Sequence, residues 1–231
     1  MTAAPMIFTG QTRDGPRRVE VAIDNLVIAG WTGRDPAAVE HHIAELEALG
    51  VARPKRTPMF YRVSNHLLTH APHIQLMGGE SSGEAEIVLL DLEDGLWVGV
   101  GSDHTDRAAE VHGVTLSKQM CAKPMARDLW PYDEVSPHWD QLVVRSHAWK
   151  DGKRRLYQEG RAGELRTPGS LLDALAREGG RRPGTLALFL GTFAAIGGVE
   201  SADRFDFELE DPVLGRKIAG TSSFEQLAVA G

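Results

Sequence analysis

The sequence predicts an α+β chain that is mainly β, and three observations carry that reading. From residue 58 onward strand-like runs are grouped together with few helical stretches between them, which argues against a doubly wound parallel sheet. Asp151-Gly152 lies between two alternating runs, a strong two-residue hairpin signal. The run Gly83-Glu84-Ala85-Glu86-Ile87-Val88-Leu89-Leu90 is apolar on both faces apart from its two glutamates, as in a strand buried on both sides. The expectation is a mixed, mainly antiparallel β-roll or sandwich with peripheral helices.

Along the chain, residues 5–30 read as two β segments, Met6-Ile7-Phe8 before a polar turn and the alternating Val19-Glu20-Val21-Ala22-Ile23. Asp35-Pro36 starts a helix, with Asp as cap and Pro at the first helical position. That helix runs to Leu49, shows Val39, Ile43 and Leu46 as its apolar stripe, and ends at Gly50. An extended loop follows to Pro58. Strands are expected at 58–63, 84–91, 95–101, 141–149, 153–159, 185–190 and 204–210, with helices at 105–112 and 169–178. His66, His70 and His73 fall in a loop-like stretch, and their spacing matches no zinc motif. Residues 1–34 form an N-terminal β segment packed with the main domain at 35–231.

The whole chain excludes several function classes. It has 231 residues, 42% of them hydrophobic and 25% charged, ordinary values for a globular protein with a sizeable core. A net charge of -7 argues against non-specific binding to nucleic acid or to an anionic membrane. No apolar run has the length of a membrane helix. Met1-Thr2-Ala3-Ala4-Pro5 lacks the basic start and apolar segment of a signal peptide, and one cysteine, Cys121, excludes an internal disulfide framework. A cytoplasmic location is expected. Cys121 reads as a small buried hydrophobe rather than a reactive thiol. Lys153-Arg154-Arg155 reads as the guard of an exposed sheet edge, and Arg53, Lys55 and Arg56 as a solvated cluster.

The chemistry concentrates around Glu84 and Glu86. Residues two apart on a strand share a face, so both carboxylates point the same way. Two like charges on a buried face need compensation, and a hard divalent cation is a natural partner for oxygen ligands. The alternative is an edge strand whose glutamates reach solvent. Downstream, Leu96-Trp97-Val98-Gly99-Val100-Gly101-Ser102-Asp103 is a strand ending in an aspartate, followed by His104-Thr105-Asp106-Arg107. Asp103 is either a further metal ligand or the cap of the short helix that follows. His42 and Glu45 are three apart on the first helix, close enough to hydrogen-bond, as a catalytic pair or as an ordinary solvated one.

Taken in order, these features resemble the fumarylacetoacetate hydrolase superfamily. The resemblance spans roughly residues 35–215: the Glu-x-Glu strand, the strand ending Ser102-Asp103-x-Thr105-x-Arg107, Lys118 before a proline-containing loop, and Leu190-Gly191-Thr192-Phe193 as the Gly-Thr substrate loop. It implies that Glu84, Glu86 and Asp103 bind Mg²⁺ or Mn²⁺, with Ca²⁺ as a further option, and that Lys118 stands near the substrate oxygens. It implies a His-x-x-Glu lid helix carrying His42 and Glu45, and substrate contacts from Tyr61, Arg62, Arg107, Glu110, Gly191 and Thr192. A homodimer and a small carboxylate substrate are implied as well. The chain departs from the pattern at Glu110, where the family has Gln, at Met120-Cys121 for Phe-Asp, and at Phe193 for Pro. The interval between Glu86 and Asp103 is also short. The reaction implied is metal-dependent chemistry beside a carbonyl of a 2-oxo acid or β-dicarbonyl compound. Hydrolytic C–C cleavage comes first, lyase or isomerase chemistry second, and a non-catalytic metabolite-binding role is the alternative class.

Overall fold

The computed structural model describes residues 4–48, 50 and 52–230, without the side chains of His42, Glu45 and Leu46. In chain order the principal elements are β1 (Met6–Thr12), β2 (Gly15–Val21), β3 (Asn25–Gly30), α1 (Pro36–Ala48), β4 (Met59–Val63), β5 (His73–Met77), β6 (Ala85–Leu92) and β7 (Gly95–Ser102). They continue with α2 (Arg107–Glu110), α3 (Val114–Gln119), β8 (Asp128–Pro131), β9 (Val143–Lys150), β10 (Lys153–Arg161), α4 (Pro168–Arg177), β11 (Leu186–Phe189), β12 (Arg204–Asp211) and β13 (Arg216–Leu227).

Two sheets organise the molecule. The larger has eight strands in the order β2-β1-β8-β7-β6-β11-β3-β4, and the smaller has five in the order β10-β9-β12-β13-β5. Most neighbours are antiparallel, but β1 with β8, β11 with β3 and β13 with β5 run parallel. One core lies between the sheets, where Val27, Ile87, Leu89 and Val100 meet Val144, Phe205, Phe207 and Ile218. A second core covers the other face of the large sheet. It runs from Phe8 and Val19 at one end of that sheet, through Trp97, Val88 and Phe189, to Ile28 and Tyr61 at the other. The mixed, mainly β fold with peripheral helices is the one the sequence predicts.

β6 sits at the centre of this arrangement. Ala85, Ile87 and Leu89 enter the inter-sheet core, while Val88 and Leu90 enter the second, so the strand is buried on both faces. The β9–β10 hairpin turns at Asp151 (φ 51°) and Gly152 (φ 72°), the paired positive φ values of a type I′ turn. Asp35 caps α1 by accepting from the Ala37 amide at 2.9 Å, and Ile43 anchors the helix at 4% exposure.

Four strands escape the sequence reading, the short β8 at Asp128–Pro131 among them. Residues 6–30 hold three strands rather than two, because Asn25-Leu26-Val27-Ile28-Ala29-Gly30 is buried on both faces and shows no alternation. His73–Met77 is a strand with Ile74 and Leu76 inward, its alternation masked by the surrounding histidines. β13 is largely polar, and its place comes from pairing with β12 rather than from its own pattern.

Candidate metal centre

The β6–β7 hairpin assembles the carboxylates. Glu86 pairs with Gly101, and Ala85 with Ser102, so the start of β6 lies beside the end of β7. The Asp103 amide then donates to the Glu84 carbonyl at 2.8 Å. The short interval between Glu86 and Asp103 is what this geometry needs, because the strands turn through two residues, Glu93 and Asp94, between the paired Leu92 and Gly95. Carboxylate oxygens of Glu84, Glu86 and Asp103 lie within 4.8 Å of one another. Asp103 does not cap α2. Asp106 does, accepting from the Ala109 amide at 2.8 Å.

Two lysines enter this acidic cluster. Lys118, on α3, contacts Asp103 Oδ2 and donates to Glu84 Oε2 at 3.2 Å, with Thr105 Oγ1 at 3.4 Å. At 6% exposure it is a buried group, not the exposed pocket lysine that a substrate contact alone would suggest. Lys123 is fully buried, donates to the carbonyls of His104 and Lys118 at 2.5 Å, and stands 3.1 Å from Asp103 Oδ1. Despite that proximity Asp103 Oδ1 accepts no hydrogen bond. Arg107 is a second orienting group, donating to Glu84 Oε1 at 2.8 Å, Glu110 Oε2 at 3.1 Å and Ser82 Oγ at 2.7 Å.

The electrostatics follow from this list. With Arg107 set against Glu110, two lysines face three carboxylates and leave one charge unmatched. Glu86 bears the consequence. Burial, then Asp103, drives its carboxyl well above the usual range, although the Gly191 amide donates to Oε2 at 2.8 Å. Burial would raise Glu84 too, but Lys118 and Arg107 hold it below the usual range. Burial opposes the charge on Lys118, yet Asp103 and the two glutamates raise it overall. An all-oxygen set of three converging carboxylates, one of them short of a counter-charge, fits a hard divalent cation.

The other sequence candidates divide. Gly191 touches Glu86 directly, and Thr192 Oγ1 donates to the Ala85 carbonyl at 3.0 Å while accepting from Gln158 Nε2 at 2.7 Å. Tyr61 lies in the second core on β4, which packs beside α3. Arg62, next on the strand, points to the opposite face of β4 and is not brought to the carboxylates. The pairing of His42 with Glu45 lies outside the described residues, although both positions are in α1. Cys121 is buried, and burial pushes its thiol up to about 11, so it is no nucleophile. His104 is packed on Phe224 with centroids 4.1 Å apart, and burial lowers it to about 3, so it stays neutral.

Sequence reasoning missed Lys123 and Gln158. Lys123 lies in no motif, and its burial against Asp103 comes from the fold. Gln158 sits on β10 and bonds to Ala85 N, Ser146, Thr192 and Phe193, contacts created by the two sheets facing each other.

A protein-family model matches residues 29–221, and its description reads "Protein of unknown function (DUF2848)". No curated protein matches the chain. Solved structures do. The chain is similar to Cg1458 at 12% identity and TM-score 0.63, covering 97% of this chain and 100% of that one. It is similar to yeast ynq8, a fumarylacetoacetate hydrolase family protein, at 16% identity and TM-score 0.60, covering 88% and 94%. It also resembles 2-keto-3-deoxy-D-arabinonate dehydratase complexed with magnesium and 2,5-dioxopentanoate, at 14% identity and TM-score 0.63, covering 94% and 78%. At such identities the likeness establishes the fold, which is that of fumarylacetoacetate hydrolase family proteins.

Proposed function

The chain belongs to the family described as protein of unknown function (DUF2848), on the fumarylacetoacetate hydrolase fold, and we propose that it is a divalent-metal-dependent enzyme acting beside a carbonyl of a 2-oxo acid or β-dicarbonyl substrate. The observation that carries this reading is the convergence of Glu84, Glu86 and Asp103 at buried strand ends with Lys118 against them. A structural neighbour complexed with magnesium and 2,5-dioxopentanoate supports the choice of a small oxo acid and of Mg²⁺ or Mn²⁺.

A divalent cation on these carboxylates supplies Lewis-acid charge for adjacent substrate oxygens. The remaining work falls to the chain. Lys118, kept protonated by Asp103 and Glu84, is a fixed donor for the oxyanion that develops beside the cleaved bond. Arg107 orients Glu84, and the Gly191 amide orients Glu86. For a C–C hydrolase we assign the base for water to His42, with Glu45 as its partner in sequence. A lyase reading is second. It is favoured by the dehydratase among the neighbours and by His104, the histidine adjoining Asp103, being neutral and packed on Phe224 rather than placed as a base.

The test is turnover of acylpyruvates and oxaloacetate with Mg²⁺ or Mn²⁺. Acylpyruvate cleavage that His42→Ala abolishes, with metal binding retained, identifies the hydrolase. Decarboxylation or dehydration that survives His42→Ala identifies the lyase. Binding of these acids with no turnover would overturn the enzymatic reading and leave a metabolite-binding protein.

A further inference from the structure

β6 loses its β11 partner at Ala85, the residue between the two glutamates. β11 pairs with β6 from Asp91 and Leu186 to Val88 and Phe189, and the Leu190 amide still donates to the Ile87 carbonyl at 3.0 Å. Two residues further, the same register would set Thr192 opposite Ala85. The chain leaves the sheet instead. Gly191 takes φ 102°, a left-handed value that favours glycine, and its amide donates to Glu86 Oε2 at 2.8 Å. On the β7 side the Asp103 amide pairs with the Glu84 carbonyl, so the alternation of the antiparallel ladder points the N–H and C=O of Ala85 toward the β11 side. Both polar groups of a fully buried residue are thus left without a strand partner.

Two side chains take the place of the strand. Gln158, on β10 of the facing sheet, accepts from the Ala85 amide through Oε1 at 2.9 Å. Its Nε2 donates to Thr192 Oγ1 at 2.7 Å. Thr192 Oγ1 in turn donates to the Ala85 carbonyl at 3.0 Å. The three bonds close a ring on Ala85. Gln158 is 1% exposed and all of its polar capacity is in use, since Oε1 also accepts from Ser146 Oγ at 2.9 Å and Nε2 also donates to the Phe193 carbonyl at 2.6 Å. The amide cannot be turned round, because a backbone N–H meets its oxygen and a backbone C=O meets its nitrogen. The Thr192 hydroxyl has one hydrogen, and the Ala85 carbonyl holds it, so this side chain has no hydrogen to give a bound acid.

We propose that Gln158 is a positioning residue for the metal centre, and that Thr192 acts with it rather than on the substrate. The ring fixes Ala85 against the loop that begins at Gly191. It thereby sets where Glu84 and Glu86, the neighbours of Ala85 on either side, project their carboxylates, and how the Gly191 amide meets Glu86 Oε2. Metal affinity then depends on a glutamine of the opposite sheet whose own bonds go to Ala85, Ser146, Thr192 and Phe193 and to none of the three carboxylates. The inference rests on the proposed function, in which Glu84 and Glu86 are metal ligands.

The test is Mn²⁺ calorimetry on metal-free protein, with thermal unfolding in chelator as the measure of stability. Thr192→Val is nearly isosteric and opens the ring. It should weaken Mn²⁺ about tenfold, the effect of losing a bond that orients a ligand from outside the metal's own shell. Thr192→Ser keeps the hydroxyl and should bind as wild type does. Gln158→Leu should weaken Mn²⁺ at least as much as Thr192→Val, and the double variant should be no weaker than Gln158→Leu, because each opens the same ring. Ser146→Ala removes a partner of Gln158 outside the ring, so it should lower stability and leave Mn²⁺ affinity unchanged. A merely structural role would lower the stability of these variants and move none of the affinities. Full Mn²⁺ affinity in Thr192→Val overturns this inference alone, and that result needs no Gln158 variant to fold. So do single losses that multiply in the double variant, or a loss in Ser146→Ala or Thr192→Ser equal to that in Thr192→Val. A wild type that binds no Mn²⁺ overturns the proposed function, and this inference with it.

Discussion

The chain contains two Glu-x-Glu strands, and only one of them makes a site. Glu84-Ala85-Glu86 begins the buried β6, while Glu208-Leu209-Glu210 lies on β12 in the smaller sheet. Exposure of the first glutamate does not separate them, since the side chain of Glu84 is 17% exposed and that of Glu208 is 19%. What separates them is the neighbourhood. On β12, Lys217 meets Glu208 at 3.0 Å and Arg145 pairs with Glu210, so each carboxylate has its own cation and an open path to water. On β6, the second glutamate is 2% exposed, and Asp103 joins the pair with no exposure at all. There two lysines must serve three carboxylates. A glutamate pair on a strand points to a metal when a third buried carboxylate converges on it and the local charge does not close.

Exchanging the neutral isostere at each motif gives the largest expected difference. Glu86→Gln should weaken Mn²⁺ binding by roughly a hundredfold or more, since it removes one carboxylate of the proposed ligand set. Glu210→Gln should leave binding unchanged. The same Glu86→Gln protein, freed of metal, should be no less stable than wild type, because it loses a buried carboxylate that lacks a counter-charge. Calorimetry and thermal unfolding in chelator read the two effects. A metal-free Glu86→Gln protein that unfolds well below wild type would show that Glu86 is held by contacts outside this account. Next in size is Lys118→Met. It should lower turnover by about 10²–10³-fold through loss of an oxyanion contact. Because Lys118 is buried against Asp103, it should also lower stability measurably, which a solvent-facing lysine would not.

Much of this comparison was legible in the sequence, and the reasons are physical. Strand periodicity exposes which carboxylates share a face, so Glu84 and Glu86 could be paired from their spacing alone. The Asp151-Gly152 turn is encoded in two residues and needs no tertiary context. Asp103 was ambiguous because a metal ligand and a helix cap ask for the same residue type at the same place. Only the bond from the Ala109 amide to Asp106 decides between them. Lys123 and Gln158 were not legible. Their roles depend on which strands lie side by side, and a polar β13 or a two-face-buried β3 carries little pattern to announce that. Tyr61 and Arg62 are adjacent on β4, and the pleat carries their side chains to opposite faces, which a motif match alone does not distinguish.

The titration of Glu86 offers a subtler contrast between the motifs. In metal-free protein Glu86 keeps its proton to a higher pH than the unfolded chain does, so the folded state binds more protons. Stability should then fall as pH rises from the ordinary glutamate value, 4.5, through the raised one. The decline should be weaker in Glu86→Gln and unaltered in Glu210→Gln. Mn²⁺ should reverse it, and its stabilising effect should grow with pH because protons no longer compete for the ligand. Thermal unfolding from about pH 5 to 8, with chelator or with Mn²⁺, reads this slope. An identical slope in wild type and Glu86→Gln would assign the raised carboxyl to another residue.

The smallest effect is expected where ion pairs are most numerous. Arg145 bridges Glu159 and Glu210 and stands 3.7 Å from Glu208, yet its side chain is 28% exposed and Glu159 is 47% exposed. Water and salt screen such pairs, and ordering the long side chains offsets part of the attraction. Arg145→Met keeps most of the aliphatic stem over the sheet. It should therefore cost at most about 1 kcal/mol, a shift of roughly 2–4 °C in a chain of this size. The shift should shrink further in high salt, and Mn²⁺ affinity should not move. A loss several times larger, insensitive to salt, would mean that the β12 carboxylates are as dependent on their cation as those of β6. The distinction between a charged sheet surface and a metal centre would then have to rest on Asp103 alone.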